Sequence, residues 1–181
     1  IRTGTLPPAA KASLLAAQSQ AALSQGETWE AEQLIEEALA QDPNSIGSLM
    51  ASARLLVVQE DIDGANAILD RVLELDDQSG PAWSLRGDLL LRNVDYEGAL
   101  AAYSKAVTLQ RFTFGDLYKR AMLQLQMGDY PAAQRGARAM LGKSRKHPAA
   151  NYIQGLLHFQ AGNYKAAITS LTVAEPAHSE Y

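Results

Sequence analysis

The fold is decided by residues 83–106, which read WSLRGDLLLRNVDYEGALAAYSKA. Small residues at Gly87, Ala99 and Ala106 in this stretch recur when the chain is read in steps of 34 residues. The series that starts from Ala99 is the strictest, and it consists of Ala31, Ala65, Ala99, Ala133 and Ala167. A fixed period over the whole chain predicts a repeat array, in which each repeat packs on its neighbours, and not a single-core domain.

Phasing on the five alanines divides the chain into five blocks, preceded by a linker or cut end at residues 1–11. The blocks are residues 12–45, 46–79, 80–113, 114–147 and 148–181. Each block is predicted to form two helices, because Ala, Leu, Gln and Glu dominate and strand-favouring runs are missing. The turns inside the blocks are predicted at 26–28, 60–62, 94–96, 128–130 and 162–164. Gly136 and Gly142 predict that the second helix of the fourth block is the least regular.

The blocks closely resemble the tetratricopeptide repeat (TPR) family. Block 80–113 carries the motif residues Trp83, Gly87, Asp95, Tyr96, Ala99, Tyr103 and Ala106, and block 148–181 carries Gly155, Gly162, Asn163, Tyr164 and Ala167. The resemblance implies an all-α fold, a right-handed TPR superhelix (α-solenoid) of five helix-turn-helix repeats. It also implies a concave face, lined by the first helix of each repeat, that binds a protein partner.

The motif positions that point into the concave groove of TPR arrays identify a set of candidate partner-binding residues. These are Met50, Arg54, Val57, Ser84, Leu85, Asp88, Arg92, Tyr118, Lys119, Met122, Tyr152, Ile153, Leu156 and Phe159. The lining becomes more apolar and aromatic toward the C-terminal end, which suits an extended or helical apolar segment. The alternative is that neighbouring repeats of a longer protein cover part of it.

The sequence contains no constellation typical of an enzyme. There is no cysteine, and the histidines His147, His158 and His178 lack the spacing of a zinc site. His158 is interpreted as a core histidine. No phosphate-binding loop or dinucleotide fingerprint is present. We therefore expect a non-catalytic protein that binds no cofactor or metal, and no apolar run is long enough to span a bilayer.

Charge is distributed unevenly along the chain. Residues 12–79 carry thirteen acidic residues against Arg54 and Arg71, whereas residues 114–147 carry seven basic residues against Asp116 and Asp129. This asymmetry predicts, as an alternative function, a spacer that associates with itself through its acidic and basic halves. A weaker alternative is a patch for nucleic acid or an anionic surface, formed by Arg135, Arg138, Lys143, Arg145 and Lys146. An acidic chain without interleaved aromatic residues argues against nucleic acid.

The last block, HPAANYIQGLLHFQAGNYKAAITSL (residues 147–171), is similar in texture to bacterial TPR lipoproteins associated with PEP-CTERM sorting and exopolysaccharide export. That narrower resemblance implies a location in the bacterial periplasm or envelope. The chain starts at Ile1 without an initiator methionine, so we expect it to be an excised piece of a longer protein.

Overall fold

The computed structural model describes residues 6–109 and 113–175. In these residues the chain forms ten α-helices and no β-strand, which confirms the all-α prediction. The helices are α1 (Pro8–Gln25), α2 (Thr28–Gln41), α3 (Ile46–Val58), α4 (Ile62–Leu75), α5 (Gly80–Arg92), α6 (Tyr96–Leu109), α7 (Phe114–Gln126), α8 (Tyr130–Lys143), α9 (Pro148–Gln160) and α10 (Tyr164–Ala174).

Helix α1 begins earlier than the sequence predicts. Residues 8–11, assigned to a linker, form its first turn, with Pro7 as the N-cap and Pro8 as the first helical residue. Proline is tolerated there because the first N–H groups of a helix have no intrahelical partner and the proline ring presets a helical φ.

The turns within the helix pairs are closed by one residue in the left-handed conformation and by an aspartate cap. Gly26, Gly128 and Gly162 have φ values of 79°, 82° and 74°, while Glu60 and Val94 take the same role at 64° and 63°. Asp61, Asp95 and Asp129 each accept a hydrogen bond from the backbone N–H three residues later. These side chains satisfy N–H groups that a helix leaves unpaired at its start.

Close helix contacts require glycine at two positions. A Cβ on Gly87 would lie 2.5 Å from Cε1 of the Tyr103 ring, and a Cβ on Gly136 would lie 2.8 Å from Cβ of Ala121. Gly136 does not disturb α8, contrary to the sequence prediction, since the helix runs unbroken over 14 residues. The glycine instead lets α8 approach α7 closely.

The chain divides into two compact units, Ile1–Ala82 and Trp83–Tyr181. In the first unit, α3 packs on the α1–α2 hairpin, and Ala51 and Leu55 of α3 cluster with Ile35 of α2 and Leu23 of α1. The second unit repeats this arrangement.

In the second unit, α9 packs on the α7–α8 hairpin. Ala150 and Ile153 of α9 cluster with Ala137 and Met140 of α8, all of which are fully buried. One face of each first helix therefore stacks on the hairpin that precedes it, as in a repeat array.

Candidate partner-binding groove

An open apolar groove lies on the last helix hairpin of the second unit. Its volume is about 620 Å³, and α7, α9, α10 and the residue after α10 contribute to its walls. It is lined by Tyr118, Pro148, Ala149, Tyr152, Ile168, Leu171, Thr172, Ala174 and Glu175. Aromatic and aliphatic walls of this kind bind ligands by burial of apolar side chains.

Large apolar side chains beside the groove are exposed to solvent. The exposed fractions are 59% for Phe159, 61% for Tyr164 and 66% for Ile168. The rings of Phe159 and Tyr164 meet edge to face with their centroids 5.6 Å apart. Contiguous exposed apolar surface of this kind is typical of interaction sites.

The same positions in the third block contact a helix. There, Leu123 of α7 is surrounded by Leu91 of α5 and by Tyr96, Leu100 and Tyr103 of α6, and both Leu123 and Tyr103 are buried. Read 68 residues later, these four surrounding positions are Phe159, Tyr164, Ile168 and Leu171. We call these four residues of the last hairpin the tail face. The tail face therefore has the chemistry of a helix-stacking surface.

Three of the predicted groove residues pair with one another. The Nζ atom of Lys119 lies 2.7 Å from Oδ2 of Asp88 and 3.4 Å from Oγ of Ser84. Lys119 also lies 5.8 Å from the centroid of the Tyr103 ring. A lysine already neutralised by Asp88 offers less charge to a partner than the sequence suggests.

Buried groups complete this network between α5, α6 and α7. The hydroxyl of Tyr103 donates a 2.8 Å hydrogen bond to Oδ1 of Asp88, and the hydroxyl of Ser84 donates to Oδ1 of Asp116. Thr113 donates a 2.7 Å hydrogen bond to Oδ2 of Asp116, which is 5% exposed. Burial raises the pKa of Tyr103, and the hydrogen bond to Asp88 and the negative charges of Asp88 and Asp116 raise it further. The network holds the three helices in register.

Two predicted groove residues belong to the core instead. Met50 is 5% exposed, and Ile153 is fully buried among residues of α7 and α8. The stacking face and the concave face of a first helix are adjacent, so side chains near their border are covered by packing. In the first unit, Arg54 donates a hydrogen bond to Gln20 of α1, and burial lowers its pKa.

The remaining predicted groove residues stay at least partly accessible. Tyr118 and Tyr152 line the groove, and burial, with a smaller contribution from Tyr152, raises the pKa of Tyr118. Five others are half-buried or exposed, namely Leu85, Arg92, Met122, Leu156 and Phe159.

Sequence reasoning missed Ile168 and Leu171. A signal for Ile168 was present, because the equivalent positions are the polar Glu32, Asn66 and Gln134 in three of the other blocks.

The predicted basic patch lies on α8 and on the turn after it. All five of its side chains are exposed. Burial lowers the pKa of neighbouring Arg120, and the positive charge of Arg135 lowers it further. The patch is a solvated surface without an aromatic residue among its members.

The histidines do not converge on one site. The ring of His147 lies against Phe114 with centroids 4.2 Å apart, His158 is half-buried on α9, and His178 lies outside the described residues. Across residues 6–109 and 113–175, no group of three or more His, Cys, Asp and Glu side chains could hold a metal ion. In the same part of the chain, no helix combines the length and apolar character needed to cross a bilayer.

Comparisons with known proteins agree with this architecture. Two family models described as tetratricopeptide repeat match residues 22–89 and 118–181, which together are more than half of the chain. A search of curated proteins found no match.

Several solved structures share the fold. PilF from Pseudomonas aeruginosa is 19% identical with a TM-score of 0.84, over 96% of this chain and 79% of that one. PilW, described as a widely conserved type IV pilus biogenesis factor, is 15% identical with a TM-score of 0.77, over 91% and 76%. YrrB, described as a TPR protein with an unusual peptide-binding site, is 20% identical with a TM-score of 0.66, over 88% and 84%.

Proposed function

The chain belongs to the tetratricopeptide repeat family, and we propose that it is a non-catalytic scaffold whose groove between α9 and α10 binds a helical apolar segment of a protein partner. The observation that carries this proposal is the tail face. Its four side chains occupy positions that hold Leu123 of a stacked helix in the third block, yet three of them are 59% to 66% exposed. An amphipathic helix placed in the groove would bury them.

The chain itself contains a probe for this groove. Residues 148–160 form α9, which packs on the α7–α8 hairpin through Ala150 and Ile153. We expect a fluorescent peptide of residues 148–160 to bind the full chain saturably in an anisotropy titration. Tyr152→Ala and Phe159→Ala should each weaken binding several-fold, since aromatic anchors dominate such contacts.

The control is Val58→Ala, which truncates an exposed side chain at the end of α3, outside the groove. Binding should depend little on salt. The proposal fails if the groove variants bind as the wild type does. Affinity that falls steeply with salt and vanishes when Arg135, Arg138, Arg145 and Lys146 are replaced by Gln would instead support the basic patch.

A place in the bacterial envelope is part of the proposal. It is supported by the similarity of the last block to lipoproteins of PEP-CTERM and exopolysaccharide export systems. PilW, which shares the fold, is described as a type IV pilus biogenesis factor. Recovery of the parent protein in the periplasmic or membrane fraction of its host would agree with this location, and recovery in the cytoplasm alone would contradict it.

A further inference from the structure

Helix α1 carries an uncovered face that matches the stacking face of later first helices. Leu14 is 48% exposed, and Ala17 and Ala21 are also exposed. We call these three residues the head face. Read 136 residues later they are Ala150, Ile153 and Leu157, which pack on the α7–α8 hairpin. Read 34 residues later they are Ser48, Ala51 and Leu55, which are all buried.

We propose that the partner in the groove is a second copy of this chain, whose α1 packs its head face on the tail face. The contact would reproduce the packing of α9 on the α7–α8 hairpin. This inference rests on the proposed function, because it names the occupant of the same groove. One chain carries both halves of the interface, each half has the residues that the other lacks, and the structure shows the completed interface within each unit.

Side-chain sizes at the two faces are complementary. Inside the second unit, Leu123 packs against Leu91 and Tyr103. The head face has the smaller Ala21 at the position of Leu123, and the tail face has the larger Phe159 at the position of Leu91. The exchange also occurs at the other end of the interface, where Leu14 stands at the position of Ala150 and Ala174 at the position of Met140. Total volume is therefore roughly maintained, as close packing requires.

Charge favours the same pairing. The block that contains the head face, residues 12–45, has six acidic residues and no lysine or arginine. The block that precedes the last hairpin, residues 114–147, has seven basic residues against two acidic ones. Opposite fields steer two copies toward a head-to-tail encounter and oppose head-to-head contact. Such a contact is heterologous, so each added copy leaves one head face and one tail face free.

Sedimentation velocity on the 181-residue chain, over about a hundredfold range of concentration, tests the inference. The wild type should show a mass that rises with concentration. Leu14→Glu and Ile168→Glu should each weaken association by about tenfold or more, because each places an unpaired carboxylate in an apolar contact. Both residues are exposed, so both variants should keep the helical circular dichroism and melting temperature of the wild type.

The mixture of the two variants is the sharpest measurement. Leu14→Glu keeps an intact tail face and Ile168→Glu keeps an intact head face, so an equimolar mixture should form a dimer that grows no further. Val58→Glu, which adds the same charge to an exposed position outside both faces, should associate like the wild type.

Three results would overturn the inference: a wild type that is monomeric at every concentration, variants that associate as the wild type does, or a mixture that stays monomeric. The peptide of residues 148–160 separates this inference from the proposed function. Leu14→Glu should bind that peptide normally, whereas Ile168→Glu should not. A monomeric wild type that still binds the peptide would sink only the second-copy assignment, and a chain that binds neither would contradict both.

Discussion

At the scale of single residues, Gly87 shows how tightly the helix pairs of the second unit are packed. The atom that alanine would add lies 2.5 Å from the Tyr103 ring, which is 1% exposed and bonded to Asp88. The ring has no room to move, so we expect Gly87→Ala to lower the free energy of unfolding by about 1–3 kcal/mol. Urea denaturation measures this change.

Gly142→Ala is the matched control, because nothing lies within 4 Å of the added atom. In α8 it should be neutral or stabilise by up to about 1 kcal/mol, since alanine favours helix over glycine. Equal losses at both positions would show that the contact with Tyr103 is unimportant.

Tyr103 also makes stability depend on pH. Its pKa is raised in the folded protein, so the folded state holds this proton more tightly than the unfolded state does. The contribution of Tyr103 is fully present below the ordinary tyrosine pKa of about 10 and is lost as pH rises above it. We expect the free energy of unfolding to fall with pH in that range, and Tyr103→Phe to make the fall shallower. An unchanged slope in Tyr103→Phe would contradict this assignment.

At the scale of helices and turns, the five turns use two solutions to the same requirement. Three have glycine in the left-handed conformation, whereas the turn between α5 and α6 has Val94 at φ 63°. A β-branched residue is strained there, and Val94 is 65% exposed, so its side chain contributes little packing. Val94→Gly should therefore raise the free energy of unfolding by about 1 kcal/mol, measured by thermal or urea denaturation.

Gly128→Ala provides the reverse change. It places a side chain at φ 82° and should destabilise by a similar amount. If Val94→Gly destabilised as much as Gly128→Ala, the left-handed conformation would not be the controlling factor at these turns.

At the scale of the whole molecule, the apolar end faces and the charge asymmetry make different predictions about salt. Association through the head and tail faces buries apolar surface, so it should persist at high salt even though screening slows the encounter. Sedimentation at low and high salt measures this difference. Association that disappears at high salt, and also when Arg135, Arg138, Arg145 and Lys146 are replaced by Gln, would assign it to charge alone.

The sequence determined the repeat, the all-α fold and the face of each first helix that packs. The 34-residue period was sufficient, because every block must bury the same stripe against a neighbour. Within the groove it also indicated Tyr118 and Tyr152. It could not show that Lys119 pairs with Asp88 or that Ile153 is buried, since these contacts depend on side-chain distances between helices.

Only the tertiary structure decided which stacking faces are covered. Leu14, Ala17 and Ala21 have the same phase as Ala150, Ile153 and Leu157, yet the first three are exposed while Ala150 and Ile153 are fully buried. The period specifies the direction of a side chain on its helix. Its burial depends on whether another helix lies against that face, and this is a property of the packed structure.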